Sequence, residues 1–257
     1  MLITTVNVFS DSQRLSNFAA ELMAQKMLEA VAERGRCLIA LSGGGTPAPL
    51  YRLMAQTPYY ESLPWERMFF FWGDERCVVP DNPESCYKQA LSTWLGYVPV
   101  MPRNIFRARG ELGPRRAAAD YARQLKTVAD LGLDWPRFDI VLLGMGADGH
   151  TASLFPGSAE TIGLATVAVS ANYQDRPAKR VSLTPDVFND ARNIVFLATG
   201  QEKAASLSAT LIGPRQPTNF PAQRIHPQDG QIWWLVDEAA ASLLPEQITG
   251  ITLQHFT

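Results

Sequence analysis

The sequence predicts an α/β fold in which a mostly parallel, Rossmann-like sheet carries helices on both faces. Short runs of β-branched and aromatic residues alternate with longer segments whose apolar residues recur at helical spacing. The run Cys37–Leu41 is apolar throughout, as expected of a central parallel strand that is covered on both sides. The 257 residues show no break in composition, so we expect a single domain over residues 1–257.

The predicted elements begin with a strand over residues 3–9 and a helix that Ser10 caps and Gly35 ends. In this helix Leu15, Phe18 and Leu22 recur at helical spacing. The other predicted strands cover residues 36–41, 68–72, 138–143, 166–169, 180–183, 193–199 and 231–236. The other predicted helices cover residues 47–55, 85–95, 114–131, 202–211 and 237–244. The proline-rich residues 213–227 are predicted to form a loop, and whether it closes over a substrate is left open.

Composition excludes several kinds of partner. The formal net charge of −2 gives no reason to expect nucleic acid or a membrane surface as partner. No apolar run approaches the roughly 20 residues that span a bilayer, and the N-terminal residues lack the pattern of a signal peptide. We therefore expect a cytoplasmic protein.

Three cysteines, Cys37, Cys77 and Cys86, are too few for a disulfide framework or a four-ligand zinc site. We expect reduced thiols, with Cys37 as a small buried hydrophobe. A catalytic role for Cys77, which follows three charged residues, is the weaker alternative to a plain thiol. No metal or cofactor is predicted.

Residues 42–47 read Ser-Gly-Gly-Gly-Thr-Pro and follow the apolar strand directly. Thr46 suits the N-cap of a helix and Pro47 its first position. A strand, a glycine turn and a capped helix together direct backbone N–H groups at one point, which is an arrangement that binds phosphate. The alternative is a plain tight turn, but three glycines are costly in chain entropy. No Lys-Ser or Lys-Thr pair follows, so a nucleotide-triphosphate loop is excluded.

A second glycine-rich segment, residues 144–149, has the spacing of a dinucleotide-binding fingerprint after a predicted strand. Asp148 would repel a pyrophosphate in this loop. Pro156 leaves room for little more than one helical turn, where the fingerprint needs a full crossover helix. No acidic residue ends the next strand, where the ribose partner is expected. We therefore do not expect a dinucleotide.

His150 is the candidate general base. It follows Asp148 in a loop at the carboxyl end of a predicted buried strand, where open α/β sheets bind their ligands. A carboxylate two residues away can orient the imidazole and raise its basicity. The other histidines, His226 and His255, are expected at the surface. The alternative for His150 is a capping or structural imidazole.

A charged cluster, Asp74, Glu75 and Arg76, follows the predicted strand over residues 68–72. Buried charges are costly unless they pair with each other or meet a ligand. Arg76 is suited to bind a substrate oxygen or a developing oxyanion. The alternative is a self-contained ion-pair network that includes Asp74 or Glu75. Since the chain has no Gly-x-Ser-x-Gly motif and no histidine pair at helical spacing, hydrolysis would proceed by water attack assisted by His150.

Three blocks of sequence closely resemble the 6-phosphogluconolactonase family. They are Ser-Gly-Gly-Gly-Thr-Pro from residue 42, Asp-Glu-Arg-Cys-Val-Val-Pro from residue 74, and Gly-Met-Gly-Ala-Asp-Gly-His-Thr-Ala-Ser-Leu-Phe-Pro from residue 144. The match continues through residues 180–184, 200–203 and 234–237, and so covers essentially the whole chain. The resemblance implies hydrolysis of 6-phospho-D-glucono-1,5-lactone to 6-phosphogluconate in the oxidative pentose phosphate pathway, without metal or cofactor. It also implies a fold shared with the glucosamine-6-phosphate deaminases.

The same resemblance implies the site. His150 would be the base, with Arg76 in the site, and we add Asp148 and Asp74 as catalytic candidates. The residues implied or predicted to hold the phosphate are Ser42, Gly43, Gly44, Thr46, Arg180 and Lys203. For Arg180 and Lys203 the role rests on the resemblance alone.

Two positions depart from the family pattern. Gly45 stands where the family usually has serine or arginine, which removes one side-chain contact, and Cys86 stands where it usually has asparagine. Two alternatives stay open: an amino-sugar-phosphate deaminase, which usually has Asp-Glu-Tyr in place of Asp-Glu-Arg, and a non-catalytic sugar-phosphate sensor, which needs a further DNA-binding domain. We expect a small phosphosugar lactone as partner, and a monomer or weak homodimer.

Overall fold

The computed structural model describes residues 4–159, 161–248 and 250–256. The strands in these ranges are β1 (Thr4–Phe9), β2 (Cys37–Leu41), β3 (Met68–Trp72), β4 (Asp74–Arg76), β5 (Ile140–Gly144), β6 (Thr166–Ser170), β7 (Lys179–Leu183), β8 (Asn193–Ala198), β9 (Gln231–Asp237) and β10 (Ile251–Phe256). The α-helices are α1 (Ser12–Arg34), α2 (Ala48–Met54), α3 (Tyr59–Ser62), α4 (Cys86–Ala90), α5 (Pro114–Val128), α6 (Pro185–Asn189), α7 (Ala204–Leu211) and α8 (Glu238–Ala241).

The main sheet has the strand order β10-β1-β9-β8-β5-β2-β3, and each of its pairings is parallel. Strand β2 shows why both faces must be covered. Leu38 and Ala40 belong to the hydrophobic cluster that contains Tyr121 of α5, whereas Ile39 belongs to the one that contains Leu50 of α2. Successive side chains of a strand point to opposite faces, so an apolar run such as this one supplies both cores. The predicted α/β fold with helices on both faces is confirmed.

Strands β4, β7 and β6 form a second, antiparallel sheet, which was not predicted. The length of the connection explains the antiparallel pairing of β6 and β7. Only residues 171–178 separate β6 from β7, whereas a parallel pair needs a crossover of about a dozen or more residues. The short connection therefore folds the two strands back on each other as a hairpin.

Several predicted boundaries change. Asp11, not Ser10, caps α1, because its carboxylate accepts a hydrogen bond of 2.8 Å from the Arg14 N–H. Gly35 ends that helix with a φ of 71°, as predicted. The predicted helix over residues 85–95 is α4 followed by a π-helical turn, Leu91–Leu95. Strands β4 and β10 and helices α3 and α6 were not predicted.

The proline-rich residues 213–227 pack behind the loop that bears His150. Their 3-10 turn, Pro221–Arg224, is buried, and the Ala222 N–H donates to the Gly149 carbonyl over 3.0 Å. The Arg224 guanidinium donates to the carbonyls of Pro217 and Ser158 over 2.9 and 2.8 Å, which ties the segment to the chain that follows His150. This segment therefore supports the predicted catalytic loop from behind. No helix in the described ranges is long and apolar enough to cross a membrane.

Candidate active site

A cleft of about 310 Å³ opens at the carboxyl ends of β2, β5 and β8, where parallel α/β sheets bind their ligands. The residues of the predicted site that line it are Ser42, Gly43, Gly44, Thr46, Asp74, Arg76, His150, Arg180 and Lys203. The remaining one, Asp148, contacts the His150 ring. The fold thus gathers residues that lie up to 161 positions apart into one place.

A larger cavity, about 860 Å³, lies at the opposite edge of the sheet, near the amino ends of β5, β8 and β9. It contains His226 but none of the predicted site residues. Its carboxylates have partners within the protein, since Asp190 accepts from the Trp135 indole and Asp229 pairs with Arg137. The smaller cleft therefore holds the residues suited to chemistry.

Two of the three glycines of the turn are required by geometry. Gly44 has a φ of +96°, a conformation that other residues rarely adopt. A Cβ at Gly43 would lie 2.3 Å from the Cys86 Sγ, so the thiol of this non-consensus residue packs directly on the turn. Gly45 has an ordinary φ and open space around it. A side chain would fit there, which agrees with the serine or arginine of the resembling family.

The predicted capping role of Thr46 is wrong. Helix α2 begins at Ala48 behind Pro47, which makes no side-chain capping bond, and Ala48 donates to the Gly45 carbonyl over 3.2 Å. Thr46 therefore lies inside a turn, from which it lines the cleft.

The backbone N–H groups of the turn divide into two sets. The Ser42 N–H donates to the Tyr51 hydroxyl over 3.1 Å, and the Gly44 N–H donates to the Gln89 amide oxygen over 3.0 Å. Those of Gly43, Gly45 and Thr46 have no acceptor within the described part of the chain. The N–H groups of this second set are therefore the ones that can bind an anion.

His150 and Asp148 form a hydrogen-bonded pair. The His150 Nδ1 lies 2.6 Å from the Asp148 Oδ1, which also accepts the His150 N–H over 3.1 Å. Burial raises the pKa of Asp148, but the hydrogen bonds and the charge of His150 outweigh it, so that its pKa is lowered. The carboxylate thus stays ionised at neutral pH and holds the proton of the ring on Nδ1, which leaves Nε2 as the basic nitrogen. His226 and His255 are exposed, as predicted.

Two aromatic rings that the sequence analysis missed enclose His150. The centroids of Phe155 and Tyr173 each lie 4.6 Å from that of His150. Tyr173 is carried by the tip of the β6–β7 hairpin, where Gln174 and Asp175 have φ values of 50° and 53°. Such a turn normally contains Asn-Gly, so the sequence carried no signal for it. The rings fix the orientation of the imidazole and shield it from water.

Gly146 lies against both side chains of the Asp148–His150 pair. A Cβ at this position would lie 2.1 Å from the His150 Nδ1 and 2.5 Å from the Asp148 Oδ1. The Gly146 N–H also donates to the His150 carbonyl over 2.8 Å, and its own carbonyl accepts the Ser206 hydroxyl over 3.0 Å. Any side chain at position 146 would collide with those of His150 and Asp148, so glycine is needed here.

We expect Gly146→Ala to lower kcat about twentyfold, because the added methyl group must displace the imidazole, and small displacements of a catalytic group are costly. Steady-state kinetics measures kcat, and the melting temperature confirms that the variant is folded. A folded variant with the turnover of the unmodified protein would contradict this placement of His150.

Glu75 has a structural role, in which hydrogen bonds hold its carboxylate rather than the ion pairs of the alternative interpretation. Its buried carboxylate accepts four hydrogen bonds of 2.8–2.9 Å, from the N–H groups of Arg76, Cys86 and Tyr87 and the Ser85 hydroxyl. It therefore fixes the start of α4 beside the strand that bears Arg76. Burial raises the pKa of Glu75, while the four hydrogen bonds lower it, and burial prevails.

We expect Glu75→Gln to destabilise the protein by about 2 kcal/mol, because the amide NH₂ would face groups that are themselves donors. Urea unfolding measures the change, with Glu66→Gln, at an exposed carboxylate, as the matched control. Equal stability of the two variants would contradict the structural role of Glu75.

Arg76 and Arg180 are directly opposite each other on β4 and β7. Both are buried, at 8% and 2% exposure, and neither forms an ion pair with a carboxylate in the described ranges. Arg76 donates to the Glu84 carbonyl over 2.8 Å and Arg180 to the Pro177 carbonyl over 3.1 Å. Burial lowers the pKa of Arg180 and the charge of Arg76 acts in the same direction, while the negative charge of Asp74 raises it. Like charges in opposite positions of a sheet repel each other, so an anion bound beside this pair would stabilise it.

The rest of the cleft completes the charge pattern. The Asp74 carboxylate accepts the Ser153 hydroxyl over 2.5 Å. Lys203 lies 3.9 Å from Glu202, and Arg176, which the sequence analysis did not select, lies 3.4 Å from Glu84. These long ion pairs leave both cations able to contact a ligand.

Cys77 is absent from the lining of the cleft. Burial raises the pKa of its thiol to about 11, so that it is protonated at neutral pH and is a poor nucleophile. Cys37 is fully buried among apolar residues, as predicted.

Comparison with known proteins places these observations in a family. Residues 10–234 match the family model described as glucosamine-6-phosphate isomerases/6-phosphogluconolactonase. The chain is 38% identical over 243 residues to a 6-phosphogluconolactonase from Synechocystis sp., covering 93% of this chain and 98% of that protein. It resembles a solved 6-phosphogluconolactonase from Trypanosoma brucei with a TM-score of 0.84 and 27% identity, over 95% of this chain and 100% of that one.

A monomeric glucosamine-6-phosphate deaminase of known structure has the same fold, with a TM-score of 0.80 and 23% identity over 93% of this chain and 99% of that one. The predicted sharing of the fold between lactonases and deaminases is thereby confirmed. At this identity the likeness concerns the fold alone.

Proposed function

The chain belongs to the family of glucosamine-6-phosphate isomerases and 6-phosphogluconolactonases, and from this premise we propose that it hydrolyses 6-phospho-D-glucono-1,5-lactone to 6-phospho-D-gluconate. This is the reaction of the oxidative branch of the pentose phosphate pathway that the sequence resemblance implied. It needs no metal or cofactor, because the lactone is an activated ester. The predicted monomer or weak homodimer and the cytoplasmic location stay predictions.

The observation that carries the proposal is the pair of buried arginines in one cleft with the Asp148–His150 pair. Two opposed guanidinium groups without carboxylate partners suit a substrate with a phosphate and a carbonyl that develops negative charge. A histidine held by a carboxylate suits the activation of water. Lys203 and the N–H groups of Gly43, Gly45 and Thr46 add donors for the phosphate.

In the proposed mechanism the His150 Nε2 removes a proton from a water molecule as its oxygen attacks C1 of the lactone. The carbonyl oxygen becomes an oxyanion, which Arg76 stabilises. The tetrahedral intermediate then collapses, the bond between C1 and the ring oxygen breaks, and the protonated His150 returns its proton to that oxygen. Asp148 stabilises the imidazolium between the two proton transfers.

The phosphate supplies the binding energy that holds the reacting carbon in place. Because it is remote from C1, its contacts with Arg180, Lys203 and the glycine turn position the lactone without taking part in bond making. Arg76 and Arg180 are directly opposite each other on β4 and β7, so the proposed phosphate and carbonyl sites lie side by side on one wall of the cleft.

A direct assay tests the proposal. The purified protein is incubated with freshly made 6-phosphogluconolactone, the rate is corrected for spontaneous hydrolysis, and ammonia release from glucosamine 6-phosphate is measured in parallel. We expect acceleration of lactone hydrolysis and no ammonia. Release of ammonia without lactone hydrolysis would assign the deaminase reaction instead, and phosphosugar binding without either reaction would indicate a sensor.

A further inference from the structure

We propose that two buried tyrosines position the two ends of the substrate separately: Tyr51 fixes the glycine turn that holds the phosphate, and Tyr121 fixes the strand end that leads to Arg76. The inference rests on the proposed function. Neither tyrosine lines the cleft, so both would act through the backbone that they hold.

The two hydroxyl groups make the same pair of bonds on neighbouring strands. That of Tyr51 accepts the Ser42 N–H over 3.1 Å and donates to the Ser42 carbonyl over 2.6 Å. That of Tyr121 accepts the Trp72 N–H over 2.7 Å and donates to the Trp72 carbonyl over 2.8 Å. Both tyrosines are fully buried. One hydroxyl thus satisfies two backbone groups of one residue.

These bonds lie where the chain leaves the ladder of the main sheet. Trp72 is the last residue of β3 and is paired with Leu41, which Ser42 follows directly. When one fixed hydroxyl oxygen binds both the N–H and the carbonyl of a residue, the adjoining peptide planes have little freedom to rotate. The direction of the following residues is then determined, and these are Gly43 in one strand and Gly73 and Asp74 in the other.

Gln89 of the segment after β4 holds the turn at a second point. Its side-chain oxygen accepts the Gly44 N–H over 3.0 Å, and its amide NH₂ donates to the Gly44 carbonyl. Ser42 and Gly44 are thus both held on the protein side. The N–H groups between and after them, those of Gly43 and Gly45, stay available for the phosphate.

The two strand ends bear different parts of the site, so the two tyrosines should affect different kinetic constants. Tyr51→Phe leaves the buried N–H and carbonyl of Ser42 without a partner, and we expect KM to rise about tenfold with kcat changed less than about twofold. Tyr121→Phe does the same at Trp72, four residues before Arg76. We expect kcat to fall about tenfold with KM changed less than about twofold.

The experiment compares the two variants, each of which is the matched control for the other, by steady-state kinetics and melting temperature. We expect similar losses of stability, with melting temperatures lowered by about 4 °C, and the opposite kinetic signatures. Changes in the same constant, or in neither, would overturn the proposal, because they would indicate general loosening or no positioning at all. A Tyr121→Phe variant that does not fold would overturn its assignment as a positioning residue.

If Tyr51→Phe does not fold, Gln89→Met, at a half-buried position, tests the same effect on the phosphate-binding turn. We expect it to raise KM as Tyr51→Phe does, whereas the control Gln13→Met, on the exposed side of α1, leaves KM unchanged. Calorimetric titration with inorganic phosphate separates this inference from the proposed function. Binding weakened about tenfold by Tyr51→Phe or Gln89→Met, but not by Tyr121→Phe, would support it even for a protein without lactonase activity, and equal binding by all variants would overturn it.

Discussion

Replacing His150 with alanine is expected to lower kcat about a thousandfold and to leave KM nearly unchanged. The imidazole is the group in the cleft that can accept a proton from water near neutral pH, and its Nδ1 is already held by Asp148 at 2.6 Å. The residues proposed to bind the phosphate lie on other elements, and the substitution leaves them in place. The side chain is largely buried between Phe155 and Tyr173, so the change leaves a small cavity without disturbing the sheet.

The measurement is the initial rate of lactone hydrolysis for this variant and for His226→Ala. His226 is exposed and lies outside the cleft, so its removal should leave both constants unchanged. Turnover close to that of the unmodified protein in a folded His150→Ala variant would remove the general-base role. It would then be necessary to look for another base among Asp74 and Glu202, the carboxylates that line the cleft.

Arg180→Met is expected to lower kcat/KM about a hundredfold, mostly through KM, and at the same time to raise the melting temperature by about 2 °C. The loss follows from the charge-assisted bonds that Arg180 would make to the phosphate. The gain in stability follows because a buried cation opposite Arg76 is replaced by an apolar chain that can pack on the Phe155 ring, over which the guanidinium now lies at 5.1 Å.

The opposite signs of the two effects make this prediction specific. An arginine that served stability alone would lower the melting temperature when removed. Arg192→Met is the control, since Arg192 is also partly buried but lies at the other edge of the sheet, near Asp139. Unchanged KM in Arg180→Met, or a clear loss of stability, would contradict the assignment of this residue to the phosphate.

Much of the fold could be predicted because the parallel strands are apolar runs with clear ends. The bounds of β3 agree with the predicted ones, and β2, β8 and β9 differ from theirs by one residue at one end. Strand β10 was missed although Ile251 and Leu253 alternate with the exposed Thr252 and Gln254 as in a half-buried strand. Strand β10 pairs with β1, which is distant from it in the sequence, and a local sequence pattern does not indicate pairing between distant segments.

The polar residues at strand ends were predictable for the same reason. Asp74, Arg76 and His150 lie in the segments that follow apolar strands, and parallel strands bring their carboxyl ends to one edge. Arg180 and Lys203 were found through the resemblance to a family and not from their local pattern. The comparisons confirm that resemblance, while the roles of the individual residues stay predictions.

The supporting residues could not be predicted, because their roles depend on distances in space. Tyr51 and Gln89 look like ordinary helix residues in the sequence, and their bonds to Ser42 and Gly44 appear only when α2 and α4 pack beside the glycine turn. Tyr173 is placed by a hairpin turn with two non-glycine residues at positive φ. The Thr46 capping prediction failed for a related reason, since a tight turn delays the start of α2 by one residue.

We propose a single cleft that binds a phosphate at the arginines and the glycine turn and activates water at His150. The most direct test compares the hydrolysis of 6-phosphogluconolactone with that of glucono-1,5-lactone, which lacks the phosphate, each corrected for its spontaneous rate. We expect a kcat/KM about a thousandfold higher for the phosphorylated lactone, because the binding energy of the remote phosphate positions C1. Equal values for the two lactones, or no acceleration of either, would contradict it.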